Sequence, residues 1–143
     1  MPESPSNSMH DKRVIITGGN SGIGFEAAVA LARLGADVTI ACRNPQRAEA
    51  ARTAIVERSA SDRVDVMQLD LADFASIRSF ATLASGRFDR IDVLLNNAGL
   101  VSRSRALTTD GFELTFGTNH LGPFLLTSLL LDQIIATPGS RVV

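Results

Sequence analysis

The short apolar run Val14-Ile15-Ile16 passes directly into Thr17-Gly18-Gly19-Asn20-Ser21-Gly22-Ile23-Gly24, and a helical spacing of apolar residues, Ile23, Ala27, Leu31 and Leu34, begins inside that cluster. Few architectures accommodate such a passage. A short strand without polar alternation suits a parallel sheet covered on both faces. Glycines between strand and helix permit a tight turn and a close approach of the backbone to whatever lies at the helix start. Gly35 stands where that helix would end in a left-handed cap. The unit then repeats. Val38 to Ala41 reads as a second strand, and Asn44 as N-cap with Pro45 as first residue opens a helix to about Arg58, with Ala48, Ala51 and Ile55 facing inward. Val64 to Leu69 is the third strand, Phe74, Ile77, Ala81 and Ala84 mark the next helix, and Ile91 to Leu95 is the fourth strand. The segment from Asp110 to Ala136 reads as helical but carries Gly117, Gly122 and Pro123, which predicts a bend near Asn119. Arg141-Val142-Val143 reads as the opening of a fifth strand. Alternating strands and helices at this spacing predict an α/β fold, a doubly wound parallel sheet with right-handed crossovers, cut at the start of strand five.

Composition narrows what such a sheet could serve. Of the 143 residues, 45% are hydrophobic and 20% charged, the balance of one soluble domain. A net charge of −1 gives no field to gather nucleic acid or anionic lipid. Residues 1–12, rich in small polar residues and holding both early prolines, are expected to be a disordered tail ahead of a domain over residues 13–143. Cys42 is the only cysteine, and the first twelve residues lack the apolar core of a signal peptide, so a reducing cytoplasm is expected. Leu121 to Ile135 is too short, and too interrupted by Gly122, Pro123 and Asp132, for a membrane span. Nothing in the sequence calls for a metal. The chain has no tyrosine, and its one lysine, Lys12, precedes the first strand.

Gly18, Gly22 and Gly24 lack side chains where the backbone would meet a pyrophosphate, whose charge the free N–H groups and dipole of a helix start would stabilise. Read by itself, the cluster could equally be a glycine-rich turn with no ligand. Its spacing, T-G-x-x-x-G-x-G, resembles the short-chain dehydrogenase/reductase family, and further matches follow in that family's order. They are Asp70-Leu71 after the third strand, Asn96-Asn97-Ala98-Gly99 at the end of the fourth, and Thr118-Asn119-His120-Leu121-Gly122 in the long helix. With Ala41-Cys42-Arg43 and Thr109-Asp110-Gly111-Phe112-Glu113, the chain is most similar to the retinol dehydrogenase-like branch. The resemblance implies a Rossmann-type domain that binds a nicotinamide dinucleotide through Thr17, Gly18, Asn20, Ser21, Gly22, Ile23 and Gly24. It implies that Asp70 accepts from the adenine amino group with Leu71 beside the ring, and that Asn97, Ala98 and Gly99 line the ribose side. Taken alone, Asp70 could be a turn or cap residue, and the asparagine pair could serve a strand end.

The end of the second strand faces the adenosine ribose in such folds, and there Cys42 is followed by Arg43 rather than a carboxylate. A guanidinium can pair with a 2′-phosphate, so NADP is expected over NAD. Of the residues the family uses for hydride transfer to a carbonyl, only an asparagine has a counterpart. That residue is Asn119, implied to hold a water in a proton relay; a second reading has it repairing backbone hydrogen bonds beside Gly122-Pro123. The family's serine, tyrosine and lysine lie beyond the fifth strand, so the chain reads as the N-terminal part of an NADP-dependent oxidoreductase, itself inactive, and expected to form a homo-oligomer when full length. Its substrate would be a small alcohol or carbonyl compound. A non-catalytic nucleotide-binding or subunit-pairing protein is the alternative. A cut sheet would leave Leu125, Leu126, Leu129, Leu130 and Ile134 short of cover, predicting poor solubility and weak cofactor affinity.

Overall fold

In the computed structural model, which describes residues 8–143, five parallel strands lie in the order β3-β2-β1-β4-β5. They are β1 (Arg13–Thr17), β2 (Asp37–Cys42), β3 (Val64–Gln68), β4 (Val93–Leu95) and β5 (Arg141–Val142). Between them run α1 (Gly22–Arg33), α2 (Pro45–Ser59), α3 (Phe74–Arg87), the single turn α4 (Leu114–Phe116) and α5 (Gly122–Ile135). The alternation of side chains along a strand divides the interior into two layers. Val14 and Ile16 of β1 pack with Ala28, Val29, Val38, Ile40, Ala48 and Ile55 under α1 and α2. Ile15 points the other way, into a second layer with Ile77, Phe80, Leu94, Leu126 and Leu130 under α3 and α5. The five-stranded parallel sheet with helices on both faces is the Rossmann-like α/β fold that the alternation predicts.

Two helical faces differ in detail from the expected ones. On α1 the buried residues are Gly24, Ala28, Val29 and Ala32, while Ile23 is 83% exposed. The smallest side chains face the sheet because a Cβ on Gly24 would stand 2.3 Å from Asn97 Nδ2, an approach only glycine allows. On α5, Leu126, Leu130 and Ile134 are covered after all, whereas Phe124, Leu129, Leu131 and Ile135 are exposed. A helix that is apolar all round covers the face turned to α3 and the sheet and leaves the other in water.

Residues 1–7 of the expected tail lie outside the described residues. Residues 8–12 form a turn that docks: the Met9 N–H donates to Leu34 O at 3.0 Å, and Lys12 Nζ pairs with Asp92 at 3.2 Å. The Asp92 carboxylate is buried and also receives the Arg13 N–H and the Arg90 guanidinium. Although its burial works against ionisation, these donors outweigh it and hold Asp92 below its ordinary value. This cluster fastens the N-terminal ends of the strands and leaves their C-terminal ends for other work.

Candidate functional site

Chain order reverses direction across the sheet between β1 and β4, and their C-terminal ends diverge there into the glycine turn and the Asn96–Gly99 turn. Ligands of open α/β sheets bind in the crevice at such a switch point. A cleft of about 390 Å³ opens there, lined by Gly18, Asn20, Ser21, Arg43, Asp70, Leu71, Ala98 and Gly99 among others. A second hollow of about 330 Å³ shares Gly18, Asn20, Ser21, Ala98 and Gly99 and adds Ile23 and Asn97. Together they are lined from the turn after β3, through the glycine turn and the Asn97–Gly99 turn, to Ile23 at the start of α1.

Thr17, Gly22 and Gly24 are not among the lining residues of either hollow, and they act through position instead. The Thr17 hydroxyl, 1% exposed, accepts from the N–H groups of Asn97 and Ala98 at 3.0 Å each. In return Asn97 Nδ2 donates to Thr17 O at 3.0 Å and to Gly18 O at 3.3 Å. This exchange latches the two turns together across the switch point. Gly18 takes φ +67, and a Cβ there would come within 2.9 Å of Ala98, so the latch needs glycine at that position.

Helix capping separates α1 from its neighbours. Asn44 caps α2 through the Arg47 N–H, Asp73 and Asp110 cap α3 through Ala75 and Phe74, and Glu113 caps α4. At α1 the N-cap Ser21 makes no side-chain bond, and the first turn holds no acid. Its first N–H groups and positive dipole end therefore remain available to an anion. Arg43 and Arg47 both line the larger cleft, and among the described residues neither guanidinium has a carboxylate within ion-pair distance. Arg47 escaped the sequence reading, yet the Asn44-Pro45 cap places it in the first turn of α2, directly beyond the end of β2. Cys42 also lines the cleft, its thiol pushed up by burial and only partly relieved by the N–H groups of Asn20 and Gly19. Asp70 is engaged locally through the Ala72 N–H at 2.9 Å, which one carboxylate oxygen accepts.

The bend near Asn119 is a π-helical turn, Gly117–Leu121, closed by the Gly122 N–H donating to Gly117 O. Two close approaches hold it: Cβ atoms on Gly117 and Gly122 would lie 2.4 Å from Thr108 and 2.5 Å from Leu71 O. The Asn119 carboxamide does not repair its own helix. It pairs with the loop after β4, accepting from the Leu100 N–H at 2.9 Å and donating to Leu100 O at 2.7 Å. His120 stacks on Phe116, with ring centroids 5.1 Å apart.

A family model described as short chain dehydrogenase matches residues 12–143. The chain belongs to the short-chain dehydrogenase family. Human retinol dehydrogenase 13 is 46% identical over 132 residues, which are 92% of this chain and 40% of that protein. A crystal structure of an uncharacterized protein from Mycobacterium paratuberculosis matches with a TM-score of 0.78 and 45% identity over 89% of this chain and 44% of the other. A short chain dehydrogenase from Escherichia coli, solved with NADPH, has a TM-score of 0.83 at 24% identity, covering 97% of this chain and 60% of the other, and shows the shared fold. This short-chain dehydrogenase chain spans about 40% of the length of the curated relatives it matches. No helix among its described residues is long and apolar enough to cross a membrane. Nor do the described residues hold a group of His, Cys, Asp or Glu able to bind a metal.

Proposed function

We propose that this chain binds NADP and provides the cofactor half of a hydride transfer between nicotinamide and a small alcohol or carbonyl substrate in an oxidoreductase. The observation that carries the reading is the cleft itself, which gathers the α1 start, Arg43, Asp70 and the Ala98-Gly99 turn at the switch point. The site fits a dinucleotide on its own terms. Positive-φ Gly18 and the Cβ-free approach of Gly24 to Asn97 leave backbone where a pyrophosphate needs it, and α1 presents uncapped N–H groups. Asp70 has a carboxylate oxygen left to accept from an adenine amino group. Arg43 and Arg47 supply two positive charges, neither paired with a carboxylate among the described residues, where a ribose 2′-phosphate would lie, which favours NADP over NAD.

Bound NADP would supply the hydride donor or acceptor. What the chain's residues do is orient and exclude: Thr17 and Asn97 hold the nicotinamide-side turn, and Asn119 fastens Leu100 at its rim. Proton transfer to a carbonyl needs a donor at the oxygen. The chain has no tyrosine, and Lys12 pairs with Asp92 at the opposite end of the strands. On this reading the 143 residues hold the cofactor and are not expected to complete the reaction by themselves.

Calorimetric titration with NADPH and NADH tests the reading. NADPH is expected to bind at least tenfold more tightly, with Arg43→Asp abolishing the preference, as loss of a charge-assisted pair worth about 1.5–3 kcal/mol requires. Equal affinity for the two cofactors would overturn the NADP assignment, and binding of neither would overturn the site.

A further inference from the structure

The turn of residues 8–12, just ahead of β1, is attached to the domain mainly through charge. Among the described residues, its one backbone hydrogen bond to the rest of the fold before Lys12 is Met9 N–H to Leu34 O at 3.0 Å. Its one apolar anchor is the half-buried Met9 side chain, packed against the layer under α1 and α2. Charged groups supply the other contacts. The Arg63 guanidinium forks onto Asp37, Nε to Oδ1 at 2.7 Å and Nη2 to Oδ2 at 2.9 Å, and the same Nη2 reaches Asp11 Oδ1 at 3.0 Å. His10 Nδ1 lies 2.8 Å from the other Asp11 oxygen, and Lys12 pairs with Asp92.

Against these contacts stands the Asp11 backbone itself, at φ +59, a left-handed conformation that residues other than glycine occupy at a cost. The Asp11 side chain is 71% exposed and that of Arg63 34%, so salt screens the pair between them. A segment with few buried contacts, a strained residue and screened ion pairs belongs to the low end of local stability. We propose that residues 8–12 form a clasp that opens by itself, ahead of any unfolding of the domain, and that ionic strength sets how often it is open. Opening withdraws Met9 and Lys12 from a hollow of about 230 Å³ that they line with Asp92 and Arg141. At the other end of β1 the glycine turn stays latched to Asn97. The clasp is thus separate from the cleft and does not depend on what the cleft binds.

Lys12 is the only lysine, so a lysine-specific endoproteinase can cut the whole chain only at the Lys12–Arg13 bond. The closed clasp protects that bond, because Arg13 begins β1 and its N–H is held by Asp92 Oδ2 at 2.9 Å. The cutting rate therefore follows the population of the open form. Dividing it by the rate for a short peptide with the same bond removes any effect of salt on the protease. Between about 0.05 M and about 0.5 M salt the normalised rate is expected to rise about fivefold, the effect of losing roughly one exposed ion pair. Asp11→Asn removes the charge, while asparagine still accepts the left-handed conformation. It is expected to be cut about fivefold faster than the parent at low salt, with most of the salt response gone and the urea midpoint unchanged. Asp65→Asn, which removes the exposed pair with Arg87 outside the clasp, should stay within about twofold of the parent rate. Cutting that begins only where urea unfolds the domain, a rate indifferent to salt, or an Asp11→Asn rate equal to the parent's would each overturn the clasp. A fall in the urea midpoint of Asp11→Asn that accounts for its faster cutting would overturn it too, since the turn would then open only with the domain.

Discussion

Replacing Thr17 with valine tests the latch across the switch point, because it keeps the side chain's shape and removes one oxygen. That oxygen accepts from Ala98 N–H and Asn97 N–H, both at 3.0 Å. The two losses are unequal. Asn97 N–H retains a second acceptor, Leu95 O at 3.0 Å, whereas Ala98 N–H has no other among the described residues. An orphaned N–H costs about 1–3 kcal/mol, and Ala98 is half-buried at the cleft, so water recovers part of that. Adding a fraction of one hydrogen bond for Asn97 brings the expected destabilisation to about 2 kcal/mol. With a urea slope of about 2 kcal/mol per molar, the unfolding midpoint should fall by about 1 M. Thr17→Ser, which keeps the oxygen and loses a methyl, is the control and should fall by less than half as much. NADPH affinity should drop in the valine variant alone, since Ala98 and Gly99 lose their anchor. Equal midpoints for the valine and serine variants would refute the reasoning, showing that packing rather than the shared acceptor holds the turn.

Gly24→Ala should destabilise by about 2 kcal/mol and weaken nucleotide binding at least tenfold, because its Cβ would press within 2.3 Å of Asn97 Nδ2 and 2.7 Å of Gly18 O. Gly86→Ala, in α3 where an added Cβ meets nothing within 4 Å, should instead stabilise by about 0.5–1 kcal/mol in the same unfolding assay. Asp92→Asn should lose about 1–3 kcal/mol at pH 7, moderated by the partial exposure of Lys12 and Arg90. Since Asp92 is held below its ordinary value near 3.8, its stabilisation is complete above that value and is lost as pH falls through the lower folded one. The gap between parent and variant should therefore narrow below pH 4, and a constant gap in unfolding midpoints would contradict the ionic role. Phe124→Ser with Ile135→Lys should raise the concentration at which light scattering first detects association, while the unfolding free energy stays within about 0.5 kcal/mol, because both side chains are mostly exposed.

Much of the fold was legible because strand and helix periods differ so plainly here. Short β-branched runs such as Val14-Ile15-Ile16 could be buried only in a covered parallel sheet, and Asn44-Pro45 marked the start of α2. The bend at Asn119 was legible from Gly117 and Gly122, though not its form as a π turn. The inner face of α1 was not, because the hydrophobic reading put Ile23 inward whereas backbone proximity to Asn97 required Gly24 there. Cover for α5 was misjudged for a related reason. Leu126, Leu130 and Ile134 find α3, a neighbour that periodicity along one segment cannot reveal.

The candidate site divides along the same line. Local sequence was enough to nominate Gly18, Arg43, Asp70 and the Asn97–Gly99 turn, because phosphate cradles, charge pairing and tight turns depend on residue types at fixed short spacings. Only the tertiary structure decided that Thr17 serves the turn 80 residues away rather than the cleft, that Arg47 joins Arg43, and that the Thr118 hydroxyl has no partner among the described residues. Those outcomes depend on which strand ends meet and which groups the packed helices bring beside them. Such facts belong to the closed sheet and its packed helices, and no short stretch of chain contains them.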